Sequence, residues 1–404
     1  MREFGLGPTM CVLCERAAAA RLGLQGSAGV GTALALGDAV LPSNLLVDSA
    51  NVAFSQGRVA SDGVMDLYLH APGGAVQVSG GGFGGQTIES VPIPQQDQDY
   101  IGSIVRRLDA IIDLDFRFVG DPGQADVAFN YDTEIEIGGG GQTLGLATTG
   151  SAGWELFVNQ PAVASNQDYR QYVNLHEWGH ALGLEHPFEA GDGDVYAGNT
   201  NPWTSAYPEE TVMAYRSPLN GEWPDFFSTS DLNALIEIWG AETQLLGEQA
   251  DRFVGGEYRD VVAGAAGNDE LRGNRGFDRL EGGSGDDWLL GGPGADELFA
   301  GSGNDVVMAG FGHDTLTGGA GDDRLRGGYG GDLFLLSSGQ DVIEDFRIAD
   351  NDRLGLEAGV SYSLQQPGND LEVVTDQWMT TLWDVDLTDF DVSKQMILTS
   401  TNPL

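Results

Sequence analysis

Cysteine is nearly missing from this chain: Cys11 and Cys14 are the only two in 404 residues. So small a number excludes a disulfide framework and a four-cysteine zinc site. Basic residues are also scarce, 19 Lys and Arg against 61 Asp and Glu, for a formal net charge of −42. That balance argues against nucleic acid and anionic membrane surfaces as partners and favours cations. No apolar run approaches the roughly 18 residues needed to span a membrane. The stretch Met1 to Gln25 is interrupted by Arg and Glu and shows no apolar core of a secretory signal peptide. Histidine is rare too, five in all, yet three of the five lie between positions 176 and 186.

What is present points to more than one domain. A chain of 404 residues is long for a single core, and 41% hydrophobic content is enough to fold it. Its 61 glycines are about twice ordinary usage and gather in the C-terminal half.

The histidines stand in His176-Glu177-Trp178-Gly179-His180-Ala181-Leu182-Gly183-Leu184-Glu185-His186. A helix sets His176 and His180 one turn apart on one face. Neutral imidazoles suit Zn²⁺, and three protein ligands with an open fourth position is the catalytic form of a zinc site. Glu177 sits beside the first ligand, placed to act as general base on a water activated there. Gly183 can take a left-handed conformation, end the helix and let the chain swing His186 back as third ligand. The full HExxHxxGxxH pattern is far more restrictive than HExxH alone.

At this motif the sequence resembles the metzincin zinc endopeptidases, and His186-Pro187 resembles their serralysin branch. Thr211-Val212-Met213-Ala214-Tyr215-Arg216 is similar to the Met-turn of that branch. By that resemblance Met213 is an apolar floor beneath the zinc. Tyr215 is a switchable further zinc ligand whose hydroxyl stabilises the oxyanion.

In chain order, residues 1–45 read as a leader or pro-segment, with a short helix over Ala17 to Leu24 and a linker over Gly26 to Gly31. Three readings of Cys11 and Cys14 are open: a local disulfide, a redox pair, or a thiolate capping the zinc in a latent form. Residues 46–243 read as one α/β domain. Strands are predicted at Val64 to His70, Phe116 to Val119, Val127 to Tyr131, Leu144 to Thr148 and Trp154 to Val158. Helices are predicted at Asp97 to Ile112, at Asp168 to Leu184 with the first two histidines, and at Asp231 to Trp239 capped by Ser230 or Asp231. Gly138 to Gly141 reads as a flexible loop and Glu189 to Pro208 as a loop-dominated stretch. Residues 244–254 form a linker.

From Gly255 to Leu335 the chain repeats every nine residues. Asp holds the sixth place in all nine units: Asp260, Asp269, Asp278, Asp287, Asp296, Asp305, Asp314, Asp323 and Asp332. The eighth place is always apolar, from Val262 and Leu271 to Leu325 and Phe334. The pattern resembles the GGxGxDxUx nonapeptide of RTX proteins, a calcium-binding parallel β-helix repeat. Each unit is predicted to end in a short strand with the eighth residue inward. The Gly-rich turn and the sixth-place Asp supply oxygen ligands for Ca²⁺. Predicted calcium sites comprise Asp287, Asp296, Asp305, Asp314, Asp323 and Asp332. They also include Gly282, Gly285, Gly291, Gly294, Gly301, Gly303, Gly310, Gly312, Gly319 and Gly321. Asp260, Asp269 and Asp278 are further candidate calcium ligands, in units that depart from the pattern at Tyr258, Ala265 and Asn274. Residues 336–404 read as a β-rich cap with an uncleaved C-terminal secretion signal, although Ser400 to Leu404 lack the apolar ending common in serralysins. Asp341 and Asp345 stand in a DxIxDF segment similar to one that closes such rolls, and are candidate further calcium ligands.

The expected fold class is multidomain: an α/β domain of metzincin type followed by an all-β parallel β-roll of nonapeptide repeats. The resemblance implies a secreted zinc endopeptidase with one catalytic Zn²⁺ and several structural Ca²⁺. It implies protein or peptide substrates, export by a type I secretion machinery, and a monomer. Two readings from other classes stand beside it: a non-enzymatic calcium-binding RTX surface or adhesion protein with a vestigial zinc site, and a zinc hydrolase of a non-protein substrate.

Overall fold

The computed structural model describes residues 41–79, 85–132, 144–150, 153–187, 206–214 and 217–399, and the backbone of 10–12. Cys14, the predicted elements at 17–31, the loop at 138–141, most of 189–208, Tyr215 and residues 400–404 lie outside the described residues. The chain divides into two compact units, Met1–Gly240 and Ala241–Leu404.

The first unit is a sheet with helices against it. Its elements are β1 (Met10–Val12), α1 (Ser49–Val59), β2 (Val64–Leu69), β3 (Gly74–Val78), β4 (Gln86–Val91) and α2 (Gln95–Leu108). They continue with β5 (Asp115–Phe118), β6 (Val127–Asp132), β7 (Gly145–Thr149), β8 (Trp154–Asn159), α3 (Gln160–Val163), α4 (Gln167–Ala181) and α5 (Thr229–Trp239). The sheet order is β1-β7-β8-β6-β2-β5. The strands β8, β6, β2 and β5 run parallel, as αβ crossovers require, while β7 is antiparallel to β8. Hairpin β3–β4 joins the sheet where β4 pairs with the end of β6. Backbone pairing sets Cys11 of β1 opposite Ala147 of β7, on the outer edge of the sheet.

Helix α4 begins where Asn166 accepts a hydrogen bond from the Tyr169 N–H. From Tyr172 to Ala181 it is buried all round. Trp178 anchors it edge-on against Phe116 and Phe129, with ring centroids 5.9 and 5.5 Å away. The helix ends at Ala181, and Gly183 takes φ 105°. A side chain there would also strike Val52, 2.7 Å from the site of a Cβ. The chain beyond is held by Leu46 to Asp48: Glu185 N–H donates to Leu46, Asp48 N–H donates to Gly183, and Val47 bridges Leu184. Leu41 and Leu46 are fully buried, so the chain enters this core from residue 41.

Three helix predictions shift at their ends. Helix α2 stops at Leu108, and Ile111 and Ile112 are buried in the turn beyond it. Helix α4 stops before Leu184, because Gly183 breaks it. The cap of α5 is Ser228, not Ser230 or Asp231; Asp231 is the carboxylate of a capping box that reaches back to the Ser228 N–H.

The second unit is a parallel β-roll. Odd-numbered strands β9 (Thr243–Leu245), β11 (Val261–Ala263), β13 (Arg279–Ser284), β15 (Glu297–Ser302), β17 (Thr315–Ala320) and β19 (Leu333–Leu335) stack in one sheet. Even-numbered β10 (Arg252–Val254), β12 (Glu270–Arg272), β14 (Trp288–Pro293), β16 (Val306–Phe311), β18 (Arg324–Tyr329) and β20 (Gln340–Ile343) stack in the other. Each strand therefore pairs with the unit two repeats on, Leu280 with Leu298 and Leu289 with Val307. The eighth-place side chains form the core between the sheets, each 2% exposed or less. Strand β21 (Arg353–Glu357) and the cap strands β22 (Ser363–Gln365), β23 (Leu371–Val374), β24 (Met379–Leu382) and β25 (Met396–Thr399) extend both sheets. Among the described residues, no helix is long and apolar enough to cross a membrane.

Candidate functional site

The last turns of α4 and the segment after it bring His176, His180 and His186 together, with one nitrogen of each within 4.8 Å of the others. All three are buried. His176 Nδ1 lies 2.7 Å from the Val212 carbonyl and His180 Nδ1 lies 2.9 Å from the Leu184 carbonyl. A carbonyl can only accept, so both Nδ1 atoms carry the proton and both Nε2 lone pairs are turned inward. His176 Nε2 and His186 Nε2 are 3.2 Å apart, and among the described residues His180 Nε2 has no hydrogen-bonding partner. Burial first, and the neighbouring imidazoles second, hold His176 and His180 well below the usual histidine range, so they are neutral. Three imidazoles converging on one buried point, with the His180 nitrogen unpartnered among the described residues, form a donor set that fits Zn²⁺.

Glu177 faces the sheet beside this cluster, fully buried, and among the described residues neither carboxylate oxygen completes a regular hydrogen bond. Burial raises its pKa well above the carboxylate range, and the nearby Ala147 backbone opposes this. Gly145 of β7 makes the room: a Cβ there would lie 2.5 Å from Glu177 Oε1 and 2.6 Å from Val173 Cγ1. Gly145 escaped the sequence reading, as did Gly179. A Cβ on Gly179 would lie 2.7 Å from Met213 Sδ, so the missing side chain lets Met213 pack on α4 between His176 and His180. A glycine inside a helix costs roughly 1 kcal/mol against alanine, and that cost is the signal that could have found it. Met213 is fully buried; Tyr215 lies outside the described residues.

In the roll, Asp296, Asp305, Asp314, Asp323 and Asp332 accept through Oδ1 from the backbone N–H of the Asp 18 residues earlier, at 2.7 to 3.0 Å. Their Oδ2 atoms, with those of Asp269, Asp278 and Asp287, are buried without a partner among the described residues. Those of Asp269, Asp278, Asp287, Asp296, Asp323 and Asp332 point at the first-place glycine of their own turn: a Cβ on Gly282 would meet Asp287 Oδ2 at 2.5 Å and the Ala300 carbonyl at 2.6 Å. The fourth-place glycines stand over backbone carbonyls of the unit two before, Gly285 over that of Gly267. Unpartnered carboxylate oxygens beside carbonyls are the hard donors calcium takes. Asp260 differs, since its Oδ2 accepts the Gly256 N–H, 2.8 Å away. Asp269 and Asp278 keep the unpartnered oxygen despite Ala265 and Asn274, which adopt φ 70° and 71° in place of glycine. Asp341 and Asp345 are engaged within the fold, by Ser337 Oγ and by the Gly327 and Gly328 N–H groups. Asp352 continues one aspartate column by accepting from Asp332 N–H at 3.0 Å. Its spacing of 20 from Asp332 hid it from the nonapeptide period.

Four matches to the RTX calcium-binding nonapeptide repeat family cover residues 247–280, 272–307, 281–316 and 308–343. None of the curated proteins matches the sequence. Among solved structures, the extracellular lipase LipA from Serratia marcescens is similar at 21% identity, over 37% of this chain and 40% of that chain, with a TM-score of 0.21. This chain thus spans less than half of that lipase. The AlgE6R3 subunit of the Azotobacter vinelandii mannuronan C5-epimerase is similar at 20% identity, over 39% of this chain and 83% of that chain, with a TM-score of 0.18. Together with the stacked parallel strands, the family match makes the C-terminal repeats RTX calcium-binding nonapeptide repeats on a parallel β-roll.

Proposed function

We propose that this chain is a secreted zinc endopeptidase of the metzincin, serralysin-like kind, stabilised by calcium in its repeats. The observation that carries the reading is the convergence of His176, His180 and His186 beside the buried, unpartnered carboxylate of Glu177. Zinc, when bound, supplies the Lewis acidity that makes water a nucleophile near neutral pH. The three imidazoles hold the ion, and Nδ1–H donation from His176 to Val212 and from His180 to Leu184 keeps those two lone pairs aimed at it. Glu177, unsolvated and with only the Ala147 backbone nearby to compete, takes the proton from water and hands it to the leaving amine. Tyr215, two residues past Met213, is assigned the oxyanion by its place in the Thr211-to-Arg216 segment. Repeats that bind calcium favour folding where calcium is abundant, outside the cell, after export through a type I machinery.

The full chain in calcium is expected to bind one zinc and to hydrolyse casein. A chelator should abolish hydrolysis and added zinc restore it. Glu177→Ala should keep its zinc and lose roughly 10²- to 10⁴-fold in rate. Undiminished hydrolysis by Glu177→Ala overturns the assignment.

A further inference from the structure

One buried carboxylate beyond the metal cluster is fully engaged, and its partners lead back to a ligand. Asp231, in the first turn of α5, is 0% exposed. Its Oδ2 accepts the Val212 N–H at 2.9 Å, the Ser228 N–H at 2.9 Å and the Ser228 hydroxyl at 2.7 Å. Its Oδ1 accepts the Thr211 hydroxyl at 2.5 Å, and that hydroxyl in turn accepts the Met213 N–H at 3.0 Å. A capping box needs only the Ser228 contacts. The bonds to Thr211 and Val212 are additional, and they fix the peptide planes on both sides of Val212. The Val212 carbonyl is the acceptor for His176 Nδ1–H, and the Tyr172 hydroxyl lies 2.9 Å from it and 2.6 Å from the Ala214 carbonyl.

We infer that Asp231 is a positioning residue for the metal site: by clamping Thr211 and Val212 it orients the carbonyl that sets the tautomer and direction of His176. The inference rests on the zinc reading above. It differs from a capping role, because the cap serves α5 whereas this clamp serves a ligand on α4. Groups that orient a metal-ligating histidine typically contribute roughly 10- to 100-fold to metal affinity or activity.

The test uses the full chain in saturating calcium. Zinc affinity is measured by chelator competition, the ligand field by the visible spectrum after cobalt substitution, and kcat and KM on one peptide. Asp231→Ala is expected to weaken zinc binding roughly 10- to 100-fold, to shift the cobalt bands, and to lower kcat with KM little changed. Asp231→Asn keeps the volume and an acceptor for the cap but turns an amide N–H toward the Thr211 hydroxyl. It should fold where the alanine variant fails, and still weaken zinc binding beyond threefold, about 0.7 kcal/mol. Leu235→Ala, in the same helix and fully buried, should lower thermal stability and leave zinc affinity and cobalt spectrum as in the parent. Wild-type affinity and spectrum in Asp231→Asn overturn the inference, and so does equal loss in Leu235→Ala. A parent chain that gives no cobalt spectrum at all sinks the zinc reading along with it.

Discussion

At the scale of single residues, the absence of a side chain at position 145 lets Glu177 sit where it does. Gly145→Ala would place a Cβ 2.5 Å from Glu177 Oε1, with Val173 blocking the other side at 2.6 Å. The carboxylate has to move, and the expected result is an approximately tenfold or greater fall in kcat/KM, equivalent to about 1.4 kcal/mol or more, with zinc content unchanged. Full activity would mean that Glu177 has another working position. A second residue carries strain of the opposite kind. Ala265 holds φ 70° where the stacked unit two repeats on has Gly283 at φ 105°, a conformation that costs an L-residue roughly 1–2 kcal/mol. Ala265→Gly is expected to stabilise the calcium-loaded chain by about 1 kcal/mol, read as a raised urea midpoint of the roll. The histidines and Glu177 were legible because a metal motif on a helix is written in adjacent turns. Gly145, Gly179 and Asp231 were not, because their partners come from distant parts of the chain. Only the folded packing shows why those positions have the residues they do.

At the scale of elements, helix α4 must be held against α2 and the sheet with little tolerance, since it carries two ligands and the base. A buried polar network does this. Asp97 in the first turn of α2 accepts from Arg170 Nε at 2.5 Å and Nη2 at 3.2 Å, and from the Tyr131 hydroxyl at 2.8 Å. Asn174 donates to that same hydroxyl at 2.7 Å. Asp97 and Arg170 are both buried. Removing one partner of such a pair leaves a charge without water or counter-ion. Asp97→Ala is therefore expected to cost the first unit about 3–5 kcal/mol in urea unfolding. Asp97→Ala combined with Arg170→Met should regain a large part of that loss. If the double variant is as unstable as the single one, the cost comes from packing and not from the stranded guanidinium. Helix α2 was legible in its apolar spacing, whereas α1 left no such trace. The core face of α1 includes Asn51 and Ser55. Ser55 donates to the Ala181 carbonyl and accepts from Trp154 Nε1. A helix that docks through hydrogen bonds breaks the hydrophobic period that would reveal it.

At the scale of the whole molecule, part of the acidic excess lies in carboxylates that the fold buries, the sixth-place aspartates of the repeats among them. The repeat was legible because each unit restates the same Asp and the same apolar residue. The β-rich character of the cap was legible, but its pairing was not, since β22 to β24 pair antiparallel without a repeat and Asp352 breaks the spacing. Burial raises Asp278, Asp305, Asp314 and Asp341 to about 7, and Asp260, Asp296 and Asp352 to about 6. An unfolded Asp titrates near 3.9, roughly. Between these values the calcium-free folded roll binds more protons than the unfolded chain, so its stability falls as pH rises from about 4 to about 7. Calcium neutralises the same oxygens without a proton, so the ion matters most at the alkaline end of that window. The full chain without calcium should therefore show slowed hydrogen exchange at the eighth-place amides near pH 5, after correction for the intrinsic rate, and lose that protection near pH 7.5. Calcium should restore it at pH 7.5, with a midpoint concentration that falls as pH rises, because fewer protons compete for each site. A calcium-free roll that gains protection from pH 5 to 7.5 would place the stabilising charges elsewhere than in the aspartate columns.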